Sequence, residues 1–416
     1  MFLTGQAYYF GVIIMKKVLR IILSLILCGA ITAGSAAAAF AAEAADPLTA
    51  PALHFGKDGR FRIMHVTDTH LHDDNVADSL RLIALACDKE KPDLIMLTGD
   101  IASEDTFEHT RELTDKLMSV FESRKIPVAV TFGNHDSENG AYTREEVMAL
   151  YTAYSCSVSI DDGEALTGCG TYLVPLCSAD GDEVIFNLWV FDSGDYDDEG
   201  HYANTAEDQV EWYKEKSLEA ERQSGRKIYS LAFQHIIVPE IYDALEKTEI
   251  QTAFSYKRIY AEDEYYRFSQ DAVNYGMLHE MPCPGYYNHG QFSAMAERGD
   301  VLAVFTGHDH TNAFGVKYKG IDIVNSLSTR YNGDTFSTQY GYRIIDLDEK
   351  APDKYTTRVV RWYDFVNSAE VKALTVKEDE SLVSEIRFRG FFQKTFTDIC
   401  VFFVETFTGR KVRYPD

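Results

Sequence analysis

Pro127-Val-Ala-Val-Thr-Phe-Gly-Asn-His-Asp136 decides the reading of this chain: a strand-like run passes straight into Gly133, Asn134, His135 and Asp136. The construction recurs. Phe61-Arg-Ile-Met-His-Val-Thr67 ends in Asp68-Thr69-His70, and Asp93-Leu-Ile-Met-Leu-Thr98 ends in Gly99-Asp100. Ile228-Tyr-Ser-Leu-Ala-Phe233 ends in Gln234-His235, and Val301-Leu-Ala-Val-Phe-Thr306 in Gly307-His308-Asp309-His310. A short, nearly continuous apolar run bounded by turn residues is the pattern of a strand buried on both faces of a parallel sheet. Such sheets bind ligands just beyond the carboxyl ends of their strands. Five ends carrying carboxylate, amide and imidazole therefore predict one convergent site, and that donor set suits divalent transition metals. Gly99, Gly133 and Gly307 admit turns that a side chain would obstruct.

Between the runs lie helical patterns. Ala77 to Lys89 has apolar residues at 80, 82, 83, 85 and 86 and reads as an amphipathic helix, as do Thr106 to Phe121 and Thr143 to Tyr154. Thr143-Arg-Glu-Glu146 has the form of a capping box. A second series comes next: strand 184–192, helix 205–222, strand 228–234, a short helix after Pro239, helix 291–298 and strand 300–306. Strands near 321–327, 341–347 and 356–363 then come without helices between them. This alternation predicts the α/β class, arranged as a four-layer α/β/β/α sandwich of two mixed sheets flanked by helices.

The 416 residues are 45% hydrophobic and 25% charged, which is globular rather than disordered composition. A formal charge of −25 argues against a nucleic-acid backbone as partner. At the N-terminus Lys16, Lys17 and Arg20 precede Ile21-Ile-Leu-Ser-Leu-Ile-Leu27, and small residues run from Ser35 to Ala45. Residues 1–45 thus read as a signal peptide, with Met15 as the start, cleavage near 39–45 and export to the periplasm or the exterior. An uncleaved N-terminal anchor is the alternative and the one membrane contact expected. A linker over 46–60 leads into a domain spanning 61–366. Within it 248–290 reads as a lid-like insertion, carrying tyrosines at 256, 260, 265, 266, 275, 286 and 287. Residues 367–416 alternate in short windows (Glu385-Ile-Arg-Phe-Arg, Ile399-Cys-Val-Phe-Phe-Val) and are expected to form a small β-rich extension. Six cysteines lie beyond the leader with no C-x-x-C pair; Cys156, Cys169 and Cys177 are read as either one disulfide or free thiols.

Taken together, Asp-x-His, Gly-Asp, Gly-Asn-His-Asp, a strand-terminal His and Gly-His-x-His resemble the calcineurin-like metallophosphoesterases, across about 61–345. Gln234-His-Ile-Ile-Val-Pro-Glu240, Gly285 to Phe292 and the run from Gly299 to Asn312 look like the purple-acid-phosphatase-29-like and Dcr2-like branch. The resemblance implies two divalent metal ions (Mn, Fe or Zn). Asp68, His70 and His310 would hold one, Asn134, His235 and His308 the other, and Asp100 would bridge them. His135 would not be a ligand but would face the substrate, stabilising the phosphoryl group or protonating the leaving oxygen. Two such ions can generate hydroxide near neutral pH and clamp a phosphoryl group in line. Purple members carry a tyrosine three residues beyond the Gly-Asp aspartate; here Ser103 stands there, so tyrosinate ligation is not expected.

Other residues receive plainer readings. Asp136 and Asp309 are turn or supporting residues, His65 and His72 are structural or surface groups, and Arg330 reads as a surface arginine ahead of a phosphate contact. Asn288 and His289 are weak candidates for substrate binding. The absence of G-x-S-x-G, Walker and G-x-G-x-x-G patterns speaks against a serine nucleophile and nucleotide-fold chemistry. The expectation is a phosphoric ester hydrolase, a phosphomonoesterase first, with a phosphodiesterase or nucleotide-hydrolysing enzyme as alternative and a non-catalytic metal- or phosphate-binding protein behind both. Its substrate would be a small phosphoester or a phosphoprotein.

Overall fold

The computed structural model describes residues 48–138, 140–160, 165–252, 255–269, 274–332 and 336–408. The export segment expected over 1–45 lies outside them. Along the chain the elements run β1 (Leu53–His54), β2 (Arg60–Val66), α1 (Val76–Glu90), β3 (Leu94–Thr98), α2 (Phe107–Glu122), β4 (Val128–Thr131) and α3 (Arg144–Thr152). Next come β5 (Tyr172–Cys177), β6 (Val184–Val190), α4 (Glu207–Ser224), β7 (Tyr229–Phe233), α5 (Ile241–Ala244), β8 (Glu246–Thr248), β9 (Tyr256–Lys257), β10 (Tyr265–Arg267) and β11 (Asn274–Met277). The remainder is α6 (Gln291–Arg298), β12 (Val301–Thr306), β13 (Ala313–Tyr318), β14 (Ile321–Asn325), β15 (Gly341–Asp348), β16 (Tyr355–Arg361), α7 (Trp362–Asn367), α8 (Ala369–Leu374) and α9 (Lys377–Thr408).

One sheet has five strands in the order β16-β15-β2-β3-β4, the other eight in the order β1-β5-β6-β7-β12-β14-β13-β11. In the first, β2, β3 and β4 are parallel while β15 and β16 run antiparallel. In the second, β6, β7, β12 and β14 form the parallel centre. Both sheets are therefore mixed.

Period-two alternation sorts their residues between layers. Phe61 and Ile63 of β2, Leu94 and Met96 of β3 and Ala129 of β4 face a central core shared with Val174, Leu188, Leu231, Phe233 and Phe305 of the larger sheet. Their neighbours Met64, Val66, Ile95, Leu97, Val128 and Val130 face α1, α2 and α3. On the far side Trp189, Val304 and Ile323 meet α4 and α6. Helices, sheet, sheet, helices: the four-layer sandwich stands as the alternation of strands and helices required. The capping box is also present, with Thr143 accepting from Glu146 N and the Glu146 side chain returning to Thr143 N.

Three readings need correction. Residues 46–60 are no mere linker, since Ala50 and Phe55 are buried and β1 pairs in parallel with β5. Two residues of strand give too short a pattern to stand out in sequence. The β-rich extension expected over 367–416 is instead helical in its described part, ending in the 32 residues of α9. Leu382, Val383 and Ile386 pack with Trp362 and Phe365 at helical spacing. Phe388, Phe392, Phe396, Ile399 and Phe403 recur every three or four residues on the exposed side, and short windows of this pattern mimic alternation. Finally, β5 and β13 went unread. In the tyrosine-rich stretch, β8, β10 and β9 form a small antiparallel sheet, while β11 joins the edge of the eight-stranded sheet beside β13. The cysteines at 87, 156, 169, 177, 283 and 400 are free thiols.

Candidate metal centre

The chain must turn sharply where strands β2, β3 and β12 end, and it does so in the left-handed backbone region. Asp68 (φ 52°), His70 (φ 40°), Asp100 (φ 53°) and His308 (φ 68°) all adopt it. Non-glycine residues avoid this region, although Asp and His enter it more readily than most. Glycines let the turns interlock. A Cβ on Gly133 would lie 2.2 Å from Asp100 Oδ1, and one on Gly307 would lie 2.0 Å from Thr67 Oγ1.

The seven expected donors come together. Asp68, His70, Asp100 and His310 offer ligand atoms all within 4.8 Å of one another, and Asp100, His235 and His308 do the same. Asp100 belongs to both groups. His70 Nε2 lies 3.0 Å from His310 Nε2 and 3.8 Å from Asp100 Oδ2. His310 Nε2 lies 3.4 Å from Asp68 Oδ1. On the other side His235 Nε2 is 3.2 Å from Asp100 Oδ2 and 3.2 Å from Asn134 Oδ1.

Neighbouring groups fix how these side chains point. His235 Nδ1 is 2.8 Å from the Thr98 carbonyl, which turns Nε2 inward. Asn134 Nδ2 donates to the Tyr196 hydroxyl at 3.0 Å, leaving Oδ1 for the cluster. Asp68 accepts from His308 N at 3.0 Å and from Thr67 Oγ1 at 2.7 Å. Asp136, read as a turn or supporting residue, supports the site: it accepts from Asp100 N (2.8 Å), Gly133 N (2.7 Å) and Ile101 N (3.0 Å), binding two site loops together. Asp309 accepts from Cys283 N at 3.1 Å and ties the last motif to the end of the insertion. Ser328, which the sequence did not single out, donates to the Asp68 carbonyl at 2.6 Å. Its signal could have been only its place after a buried strand.

His135 sits at the rim, half-exposed. Its backbone N–H donates to Asp100 Oδ1 at 2.9 Å, its Nδ1 pairs with Glu138, and its ring lies 5.5 Å from that of His70. His65 is buried between Ser326 (2.9 Å) and Thr98 (2.7 Å), and His72 pairs with Glu104, so both are structural as read. Asn288 instead donates to Glu240 at 2.9 Å and accepts from Gly290 N, and His289 is exposed; among the described residues neither contacts the seven.

The electrostatics suit a cation. Burial pushes His308 down to about 3 and His70 down to about 4. Burial would lower His235 too, but the carboxylates of Asp100 and Asp68 outweigh it and hold this imidazole up at about 10. Despite their own burial, Asp100 and Asp68 are held below the usual carboxylate range by His235 and its neighbours. Among the described residues His308 Nε2 is buried without a hydrogen-bond partner, and Asp100 Oδ2 is buried with only its ion pairs to His235 and His70. Buried polar atoms left so poorly matched are costly, and a cation between them would satisfy both. The donor set therefore fits two metal ions.

His235 offers a test. Held at about 10, it carries a proton at neutral pH, and a cation can take its nitrogen only by displacing that proton. Adding Zn²⁺ or Mn²⁺ to chelator-treated protein at pH 7.5 is expected to release about one proton from this group, and affinity is expected to fall as pH drops. An indicator-dye titration measures it. Binding without proton release would refute the assignment of His235.

The chain is similar to several known proteins. The family model described as calcineurin-like phosphoesterase matches residues 61–312. "Probable inactive purple acid phosphatase 29" of Arabidopsis thaliana is 26% identical over 349 residues, covering 73% of this chain and 81% of that protein. "Phosphatase DCR2" of Saccharomyces cerevisiae is 26% identical over 285 residues, covering 62% of this chain and 45% of that protein. Among solved structures, a dimetal phosphatase from Danio rerio aligns with a TM-score of 0.46 and 15% identity, over 73% of this chain and 96% of that one. Since the family pattern runs from Phe61 to Asn312, more than half of the sequence, and takes in every strand end that converges here, the chain belongs to the calcineurin-like phosphoesterases, metal-dependent hydrolases of phosphoric esters.

Proposed function

We propose that this chain is a phosphomonoesterase, exported by its N-terminal segment, with Asp68, His70 and His310 holding one divalent cation and Asn134, His235 and His308 another. Asp100 is the shared ligand. The observation that carries the reading is Asp100 itself, whose buried Oδ2 lies 3.8 Å from His70 Nε2 of one group and 3.2 Å from His235 Nε2 of the other. The site chemistry suits Mn, Fe or Zn, with Ser103 in place of the colouring tyrosine. When bound, two such ions lower the pKa of a water and withdraw charge from a phosphoryl oxygen.

The chain's own residues do the rest. Asp136 and Thr98 keep the ligand turns from relaxing, so little reorganisation is needed as the phosphoester arrives. His135, at the rim with Glu138 on its Nδ1, keeps its other ring nitrogen for the phosphoryl or the leaving oxygen. Water serves as nucleophile, because no serine or cysteine motif offers a covalent route. With both cations held, their charge beside four imidazoles would outweigh the two carboxylates and favour a monoester dianion. The substrate is a small phosphoester or a phosphoprotein side chain.

The test is relative turnover of p-nitrophenyl phosphate and bis-p-nitrophenyl phosphate by the metal-replete protein. The monoester is expected to be favoured by at least about tenfold in kcat/KM, a difference of about 1.4 kcal/mol. Clear preference for the diester would reverse the ordering. Two bound metals with no turnover on either ester would leave a binding protein.

A further inference from the structure

Beside the metal centre stands a cluster of aromatic rings that the chemistry above does not use. The His308 ring, a candidate ligand, meets Tyr202 edge-on at 4.4 Å, and Tyr202 stacks on Tyr196 at 5.5 Å. Tyr196 also touches the centre through its hydroxyl, which accepts from Asn134. Beyond them His201 stacks on Tyr286 at 4.2 Å, and Tyr260 stands edge-on to both. These rings come from two separate stretches, the loop between β6 and α4 and the segment around 260–287, which are laced together. Tyr286 N donates to the Tyr202 carbonyl at 2.9 Å, Tyr202 N donates to the Tyr260 hydroxyl at 2.8 Å, and Gly285 presses so close that a Cβ would lie 2.2 Å from the Ala203 carbonyl. The wall is thus built rather than loose.

Its outer rings are nonetheless uncovered: Tyr196 is 36% exposed, Tyr260 41% and Tyr286 46%. Rings that serve only to pack a loop would turn their faces inward. Held rigid, exposed and next to a phosphoester centre, they are a surface for another ring. Asp195, Asp197, Asp198 and Glu199 on the same loop make it unfavourable for a second phosphate or a polyanion.

We propose that Tyr196, His201, Tyr202, Tyr260 and Tyr286 form a stacking subsite for the organic part of the substrate, selecting phosphomonoesters that carry a flat aromatic ring, neutral or cationic. The proposal rests on the phosphomonoesterase reading above and adds the substrate class to it. Nucleobases and phenyl rings share the required face.

The experiment compares matched esters of primary alcohols, in which only the ring differs: adenosine 5′-monophosphate against ribose 5-phosphate, and 2-phenylethyl phosphate against butyl phosphate. The ring-bearing member of at least one pair is expected to win by about tenfold in kcat/KM. Preference in the first pair alone identifies a nucleobase, and in the second a phenyl group. Tyr286→Leu and Tyr196→Leu are expected to collapse that ratio, while Tyr196→Phe, which keeps the ring, retains it. Equal rates within both pairs overturn the subsite and leave the hydrolase reading intact, as does a preference that survives both leucine variants. No hydrolysis of any of the four esters, nor of p-nitrophenyl phosphate, overturns both.

Discussion

Asp100→Asn is expected to lower kcat/KM by at least about 10³-fold, a loss of about 4 kcal/mol of transition-state stabilisation, and to reduce the bound metal from two ions to one or none. The substitution changes one atom of the side chain and removes its charge. Asp100 Oδ1 already accepts from His135 N, so the turn survives in the amide. Oδ2 is the atom between His235, at 3.2 Å, and His70, at 3.8 Å. An NH₂ there would point donors where lone pairs are needed, and no other described carboxylate belongs to both donor groups. Because Asp136 still clamps the Asp100 backbone, thermal unfolding of the metal-free variant should stay cooperative. Elemental analysis alongside kinetics checks it, and two retained ions with more than a tenth of the activity would contradict the bridging role.

His135→Ala separates chemistry from metal binding. Turnover is expected to fall by about 10²–10³-fold, the usual worth of a positioned proton donor, with both ions still bound. Alanine keeps the backbone N–H that Asp100 accepts, and the ring contributes no atom to either donor group. Unchanged kcat would remove the residue from the mechanism. Loss of an ion would instead make it a ligand or a prop for one.

The strand ends were legible because a parallel strand buried on both faces leaves a nearly unbroken apolar run, against which the polar residues at its carboxyl end are conspicuous. Asp68, His70, Asp100, Asn134, His235, His308 and His310 could be named from that grammar together with the family resemblance. Partners held through the backbone could not. Asp136 was legible as a turn or supporting residue but the main-chain groups it holds were not, and Ser328 left no spacing to read at all. Tyr202 meets His308, and Tyr196 meets Tyr202 and Asn134, only because the fold places the loop after β6 beside the metal centre, a neighbourhood no local pattern encodes. The C-terminal helix was misread for a related reason. Where phenylalanine dominates, β propensity and helical spacing disagree, and the buried Leu382, Val383 and Ile386 decide between them only once the core exists.

The left-handed turns at Asp68, His70, Asp100 and His308 set the chain's robustness against its chemistry. Each holds a side chain where glycine would rest more easily, at a cost of about 1 kcal/mol or more. Two of them also bring buried carboxylates together beside the same imidazoles. A lineage selected for thermal endurance alone would shed these tensions one residue at a time, and its hardiest descendants would be catalytically silent.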